Sequence, residues 1–201
     1  MASGTMIFLN GASSSGKTSI AKVLQEILNE PYLHVALDAF FDMMPARYVI
    51  GDDPWAVTDP AGRMISGFHG AIAALAAAGN NVIVDHVLLE IAWVRECAAL
   101  LAPFRSVFVG VHCSLAELER REAVRADRSI GLARFQHARV HAHHLYDLEV
   151  DTSTQSPEEC AGRISAYLRD GHLPTAFGRL RDGVGADACS RRPSAVWPSG
   201  G

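Results

Sequence analysis

Three observations predict an α/β fold built on a five-stranded parallel sheet with helices on both faces. Short apolar runs alternate with helix-period stretches along most of the chain. A G-x-x-x-x-G-K-[ST] segment, Gly11-Ala12-Ser13-Ser14-Ser15-Gly16-Lys17-Thr18, follows the first apolar run directly and opens a helical pattern. The 201 residues, 49% hydrophobic and 20% charged, suit one globular domain large enough to wrap such a sheet.

Strands are expected at residues 6–9, 34–37, 81–85, 106–111 and 148–150, four of them rich in Val, Ile, Leu or Phe, as strands buried on both faces are. Helices are expected at 17–29, 39–44, 63–78, 90–101, 114–125, 130–144 and 157–169. Gly79-Asn80 stops the alanine-rich third helix, and Ser114 and Ser156 read as N-caps. The alternation implies right-handed crossovers. Residues 47–69, with Gly51-Asp52-Asp53-Pro54-Trp55 and Gly67-Phe68-His69, read as a long irregular insertion of the kind that binds ligands. From Pro174 the composition turns to Gly, Ser, Pro, Ala and Arg without apolar periodicity. The expected division is therefore a domain over 1–173 and a flexible tail over 174–201. A strip docked on a neighbouring subunit, and hence a homo-oligomer, is the alternative for that tail.

Net charge is −4, which leaves no electrostatic case for nucleic acid or an acidic membrane as a partner. Cys97, Cys113, Cys160 and Cys189 form no C-x-x-C pair and read as reduced thiols. The start carries no basic n-region, and no apolar run has the length of a membrane span, so a cytoplasmic enzyme is expected.

The chemistry begins at Gly11–Thr18. Glycines at both ends permit turns in which successive N–H groups face phosphate oxygens, and the helix N-terminus behind them adds its positive dipole end. Lys17 can reach the β- and γ-phosphates, and the Thr18 hydroxyl can ligate magnesium. A nucleoside triphosphate and Mg2+ are therefore the expected cofactors, the triphosphate being ATP in the family reading given below. Asp38, placed at the end of the second strand, would face the same crevice and could take the proton of an attacking hydroxyl, or simply cap a helix. Asp42, one turn later, is the fallback base. Asp85 closes the third strand and could serve magnesium or the acceptor. His86 beside it could bind substrate or merely pack. Arg121, Arg125 and Arg128, at i, i+4 and i+7, would share one helix face and could close a lid over about 120–135, with acceptor-binding elements over about 39–70. A solvated face paired internally, for example Glu122 with Arg125, is the alternative. His137, His141, His143 and His144 read as surface or substrate-side groups rather than a zinc site.

These residues together resemble the chloramphenicol phosphotransferase family of small kinases. The similar stretches are Ile7–Thr18, Asp38 with Asp42-Met43-Met44-Pro45, Val82-Ile83-Val84-Asp85 and Val109-Gly110-Val111-His112-Cys113. They continue with Arg121-Glu122-x-x-Arg125-x-Asp127-Arg128 and Tyr146-Asp147-Leu148-Glu149-Val150-Asp151-Thr152. The resemblance covers roughly the first 170 residues in motif order. It implies a P-loop NTPase fold of the nucleoside- and shikimate-kinase type and ATP-dependent phosphorylation of an antibiotic hydroxyl. It also implies Asp38 as general base, Lys17 on the phosphates, and Arg125 and Arg128 as lid arginines. Two other readings remain: a metabolite, nucleoside or sugar-nucleotide kinase of the same fold, toxin-type included, and a nucleotide-binding switch that transfers nothing.

Overall fold

The computed structural model describes residues 2–48, 57–124 and 131–183. Five strands form one parallel sheet: β1 (Met6–Asn10), β2 (Tyr32–Ala36), β3 (Asn81–His86), β4 (Ser106–His112) and β5 (Leu148–Asp151), in the order β2-β3-β1-β4-β5. Register pairs Leu9 with Asp85 and with Val109, so the C-terminal ends of β1, β3 and β4 open at one level. Every residue of β1 is buried, and β3 and β4 are buried except at one end each. The edge strands β2 and β5 are only partly covered. Continuous apolar runs mark the middle of this sheet and not its margins.

Helices pack on both faces because alternate strand residues point opposite ways. Ile7, Leu9, Ile83, Val107 and Val109 face α1 (Lys17–Ile27) and α7 (Pro157–Arg169). Met6, Phe8, Val82, Val84 and Phe108 face α3 (Asp59–Ala77) and α4 (Ile91–Leu101). Ser156 begins α7 with a capping box: its hydroxyl accepts from Glu159 N–H while Glu159 reaches back to the Ser156 N–H.

Three expectations are corrected. Gly67-Phe68-His69 is not part of an irregular insertion: α3 starts at Asp59, behind a Thr58 N-cap that accepts from Ala61 N–H. Three glycines in its first twelve residues disguise where the helix starts, but Ile65, Phe68 and Ile72 bury one face and override propensity. Asp53 and Trp55 lie outside the described residues. The helix expected over 130–144 is short, α6 (Leu132–His137), and turns follow it. Asn10 Nδ2 donates to the Val140 carbonyl there, a partner a continuing helix would have used itself. The folded unit also runs past 173. Helix α8 (Ala176–Arg181) buries Phe177, stacked on Phe108 at 4.5 Å. Residues 184–201 of the expected tail lie outside the described ones. The remaining helices are α2 (Leu37–Asp42) and α5 (Leu115–Val124). Among the described residues no helix is long and apolar enough to cross a membrane.

Candidate active site

The segment Gly11–Thr18 turns tightly between β1 and α1. Ser14 has φ 63° and Gly16 φ 89°, both left-handed. A Cβ on Gly11 would lie 2.4 Å from the Val111 carbonyl oxygen, so the loop passes β4 at a distance open only to glycine. No side chain caps α1, which leaves its first-turn N–H groups for a ligand. The Ser14 and Ser15 hydroxyls are buried without a hydrogen-bond partner, groups that a bound anion would satisfy.

Lys17, almost fully buried, donates from Nζ to the Gly11 and Ala12 carbonyls at 2.9 Å each and stands 3.7 Å from Asp85. Thr18 Oγ1 donates to Asp85 at 2.7 Å. Burial alone would raise the Asp85 pKa. The Lys17 ammonium, aided by His34 and Thr18, outweighs it and holds the carboxyl at about 2. His34 Nε2, at 3.8 Å, is too far for a hydrogen bond and acts through the field. Hydroxyl and ionised carboxylate thus stand together at the head of α1, hard oxygen donors of the kind magnesium takes.

A cavity of about 450 Å³ opens above the loop, with Ser13, Ser14, Gly16, Lys17 and Thr18 at its base. On the β2–β3 side its wall carries Leu37, Asp38, Asp85, His86 and Val87. On the β4–β5 side it carries Arg120, Arg121, Val124, Thr152 and Gln155. Of the expected residues, Ser13, Ser14, Gly16, Lys17, Thr18, Asp38, Asp85 and Arg121 line this one cavity. Gly11, Ala12 and Ser15 shape the loop behind it. Asp38 lies in the first turn of α2 rather than at the end of β2, and its side chain is exposed. The N-cap is Ala36, so capping is not its role. Asp42 is exposed at the other end of α2 and off the cavity wall.

Arg121 reaches the cavity, but its fork is engaged on protein oxygens. It donates to Glu117 at 2.7 Å, Ser14 O at 3.3 Å, and Thr152 Oγ1 and O at 3.1 and 2.7 Å. It braces the loop against the end of β5. Arg125 and Arg128 lie outside the described residues. Glu122 is buried, and its carboxylate accepts from Gly131 N and Ala133 N, both at 2.8 Å, capping α6 across the lid segment. That is a use the i, i+3 spacing to Arg125 did not suggest.

Several contacts around the site carry no sequence signal. Asn10 holds the loop entry, donating to Tyr146 Oη and Val140 O and accepting from Leu88 N. Ser13 N–H donates to Gln136 Oε1 at 2.6 Å. His86 is fully buried, stacked on Phe8, with Nε2 2.8 Å from His69 Nε2; His69 Nδ1 is 2.8 Å from Glu96. The carboxylate must accept from His69 Nδ1–H, which makes His69 Nε2 the acceptor of His86 Nε2–H. His86 Nδ1 is then a bare lone pair, consistent with its being a buried atom without a partner.

Of the histidines at 137–144, His141 pairs with Tyr146 Oη at 2.6 Å and His143 stacks on Phe108. Burial, then the charges of His112 and His143, lower His141 to about 3, and burial lowers His143 to about 4. Burial also lowers His69 and His86. The folded values lie below the unfolded value near 6.5, so this stability is present above that pH and is lost as pH falls towards the folded values. Urea unfolding should therefore show stability falling between pH 6.5 and 5 by about 1.4 kcal/mol per pH unit for each histidine kept neutral. A flat profile would show that these rings take up protons in the folded protein.

Comparison with known proteins agrees with this geometry. A relative from Mycobacterium tuberculosis strain H37Rv, which carries a provisional O-phosphotransferase name, is 32% identical over 90% of this chain and 89% of its own. Among solved structures, the M. tuberculosis APS kinase in complex with AMPPNP and APS superposes with a TM-score of 0.65 at 16% identity, covering 84% of this chain and 99% of that one. A shikimate kinase from Acinetobacter baumannii in complex with shikimate gives 0.61 at 12% identity, covering 85% and 96%. The tunicamycin resistance protein of Deinococcus radiodurans gives 0.59 at 16%, covering 83% and 96%. At these identities the likeness is one of fold, that of the P-loop kinases. The family model for chloramphenicol phosphotransferase-like proteins matches residues 4–169, and the chain, with its phosphate loop, Asp38 and Asp85 around one cavity, belongs to that family of phosphate-loop kinases.

Proposed function

We propose that the protein is an ATP- and magnesium-dependent O-phosphotransferase that moves the γ-phosphate to a hydroxyl of a small molecule, an antibiotic such as chloramphenicol. The observation that carries this reading is the single cavity joining the phosphate loop to Asp38 and Asp85. The nucleotide lies with its phosphates on the loop N–H groups and Lys17. Arg121 would lie on the nucleotide's side of the cavity and Asp38 on the acceptor's. Thr18 and Asp85 would hold magnesium, which supplies neutralisation of the phosphate charge. Asp38 takes the acceptor's hydroxyl proton. The resulting oxygen bonds to the γ-phosphorus as the bond to the bridging oxygen breaks, and ADP leaves. Arg125 and Arg128 supply positive charge from the lid as the transferring group passes.

The test is ATP consumption with chloramphenicol and a panel of hydroxylated antibiotics and metabolites, with the product weighed by mass spectrometry. Acceptor-dependent turnover, a gain of one phosphoryl group and loss of activity with a magnesium chelator are expected. Turnover only with a metabolite would move the protein to a housekeeping kinase. ATP binding with no turnover on any acceptor would favour a nucleotide switch.

A further inference from the structure

Gln136 stands beside the phosphate loop on a support that no sequence motif announces. Its Oε1 accepts the Ser13 backbone N–H at 2.6 Å, and both residues are buried. The contact orients the amide: an N–H donor requires the oxygen, so the Nε2 end carries its two hydrogens away from Ser13. Gln136 lies on the wall of the cavity described above, so that end is the one left to meet a ligand.

The support is rigid. Ala133 of α6 is fully buried with Ala12 of the loop, Cys113, Leu118 and Val140. Val87 and Leu89, just beyond β3, pack on the same cluster. The start of α6 is tied to α5 through Glu122, and the Gln136 carbonyl accepts from Val140 N at 2.9 Å. Gln136 thereby lines the cavity beside the third residue of the loop, on a helix whose packing cluster takes in Cys113 and Leu118 as well as Val87 beyond β3. A fixed amide donor beside the loop lies where the phosphates of the proposed nucleotide would be held, rather than out on the cavity rim.

We propose that Gln136 is a γ-phosphate contact: Oε1 stays on Ser13 N–H while Nε2 donates to an oxygen of the transferring phosphoryl group, holding it in line with the acceptor. This rests on the phosphoryl-transfer reading and adds to it a residue outside the loop and the lid. It also gives the protein a means of telling ATP from ADP that does not depend on the acceptor.

Gln136→Glu is the discriminating change. It keeps an oxygen for Ser13 N–H, so a purely structural role survives, but it puts a charged acceptor where the phosphate needs a donor. Titration of the full chain with magnesium and either ADP or a non-hydrolysable ATP analogue reads the effect directly. ADP affinity is expected to stay within about twofold while the preference for the analogue falls about tenfold or more. Gln136→Met, which keeps the shape and removes the donor, should lose the same preference, and kcat in both should fall about 10²-fold. A Gln136→Glu protein that keeps the analogue preference overturns the proposal and leaves the kinase reading intact. One that loses ADP equally overturns it too, since Gln136 then only holds the loop. Wild-type protein that binds neither nucleotide overturns both readings.

Discussion

Asp38→Asn is expected to lower phosphoryl transfer by about 10²–10⁴-fold while leaving ATP affinity within about twofold or slightly tighter. The amide keeps the size and hydrogen-bonding reach of the carboxylate but cannot take the proton that the acceptor hydroxyl loses on attack. Removing a negative charge from the rim of a cavity that holds phosphates relieves repulsion, so the nucleotide has no reason to bind less well. The side chain is exposed and the amide is isosteric with the carboxyl, so the fold should survive; the change removes a first-turn dipole interaction of about 0.3–1 kcal/mol. Steady-state rates with an identified acceptor, together with calorimetric ATP binding, separate the two effects. Full turnover in the variant would remove Asp38 as the base. Among the described residues Asp42 does not line the cavity, so it is not in place to act as the base instead.

What the sequence made legible is what is encoded locally. The loop from Gly11 to Thr18 states its own geometry in eight consecutive residues, and Asp85 announces itself by ending an apolar run. The strands at the middle of the sheet, buried on both faces, are continuous apolar words. What stayed hidden depends on partners far along the chain. Ser13 and Gln136 are 123 residues apart, and Asn10 and Val140 are 130 apart. A glutamine in a short helix reads as surface until its partner is known. Helix α8 is held by Asp147, which accepts from Thr175 N at 2.6 Å and Ala176 N at 2.9 Å from 28 and 29 residues away. With its cap supplied from a distance, the segment looked like the start of a tail. His69 was hidden differently. It falls where an expected helix and an expected insertion overlap, and only the buried faces of Phe68 and Ile72 settle it on the helix and turn it against His86.

Lys17→Met is expected to damage both function and fold, and the two losses can be separated. On the functional side, the ammonium is the charge within the loop that the β- and γ-phosphates of the proposed nucleotide would meet. Its removal should cost about 10²–10³-fold or more in kcat/KM and weaken ATP binding visibly. On the structural side, Lys17 is the largest influence holding Asp85 ionised against its burial. Without it, a nearly buried carboxylate keeps only the Thr18 hydroxyl at 2.7 Å and the distant His34, a loss of about 3 kcal/mol of stability. The carboxyl pKa, about 2 in the wild type, should rise with it. In the wild type the Asp85 contribution is present above the unfolded value near 3.9 and is lost as pH falls towards 2, so the variant should unfold at a higher pH on acid titration. Adding Asp85→Asn to Lys17→Met removes the stranded charge and should recover most of the stability measured by urea unfolding, while transfer stays lost. If the double variant is no more stable than the single one, the Lys17–Asp85 pair is not what holds the head of α1. If Lys17→Met alone binds ATP as the wild type does, the loop's N–H groups carry the phosphates without it.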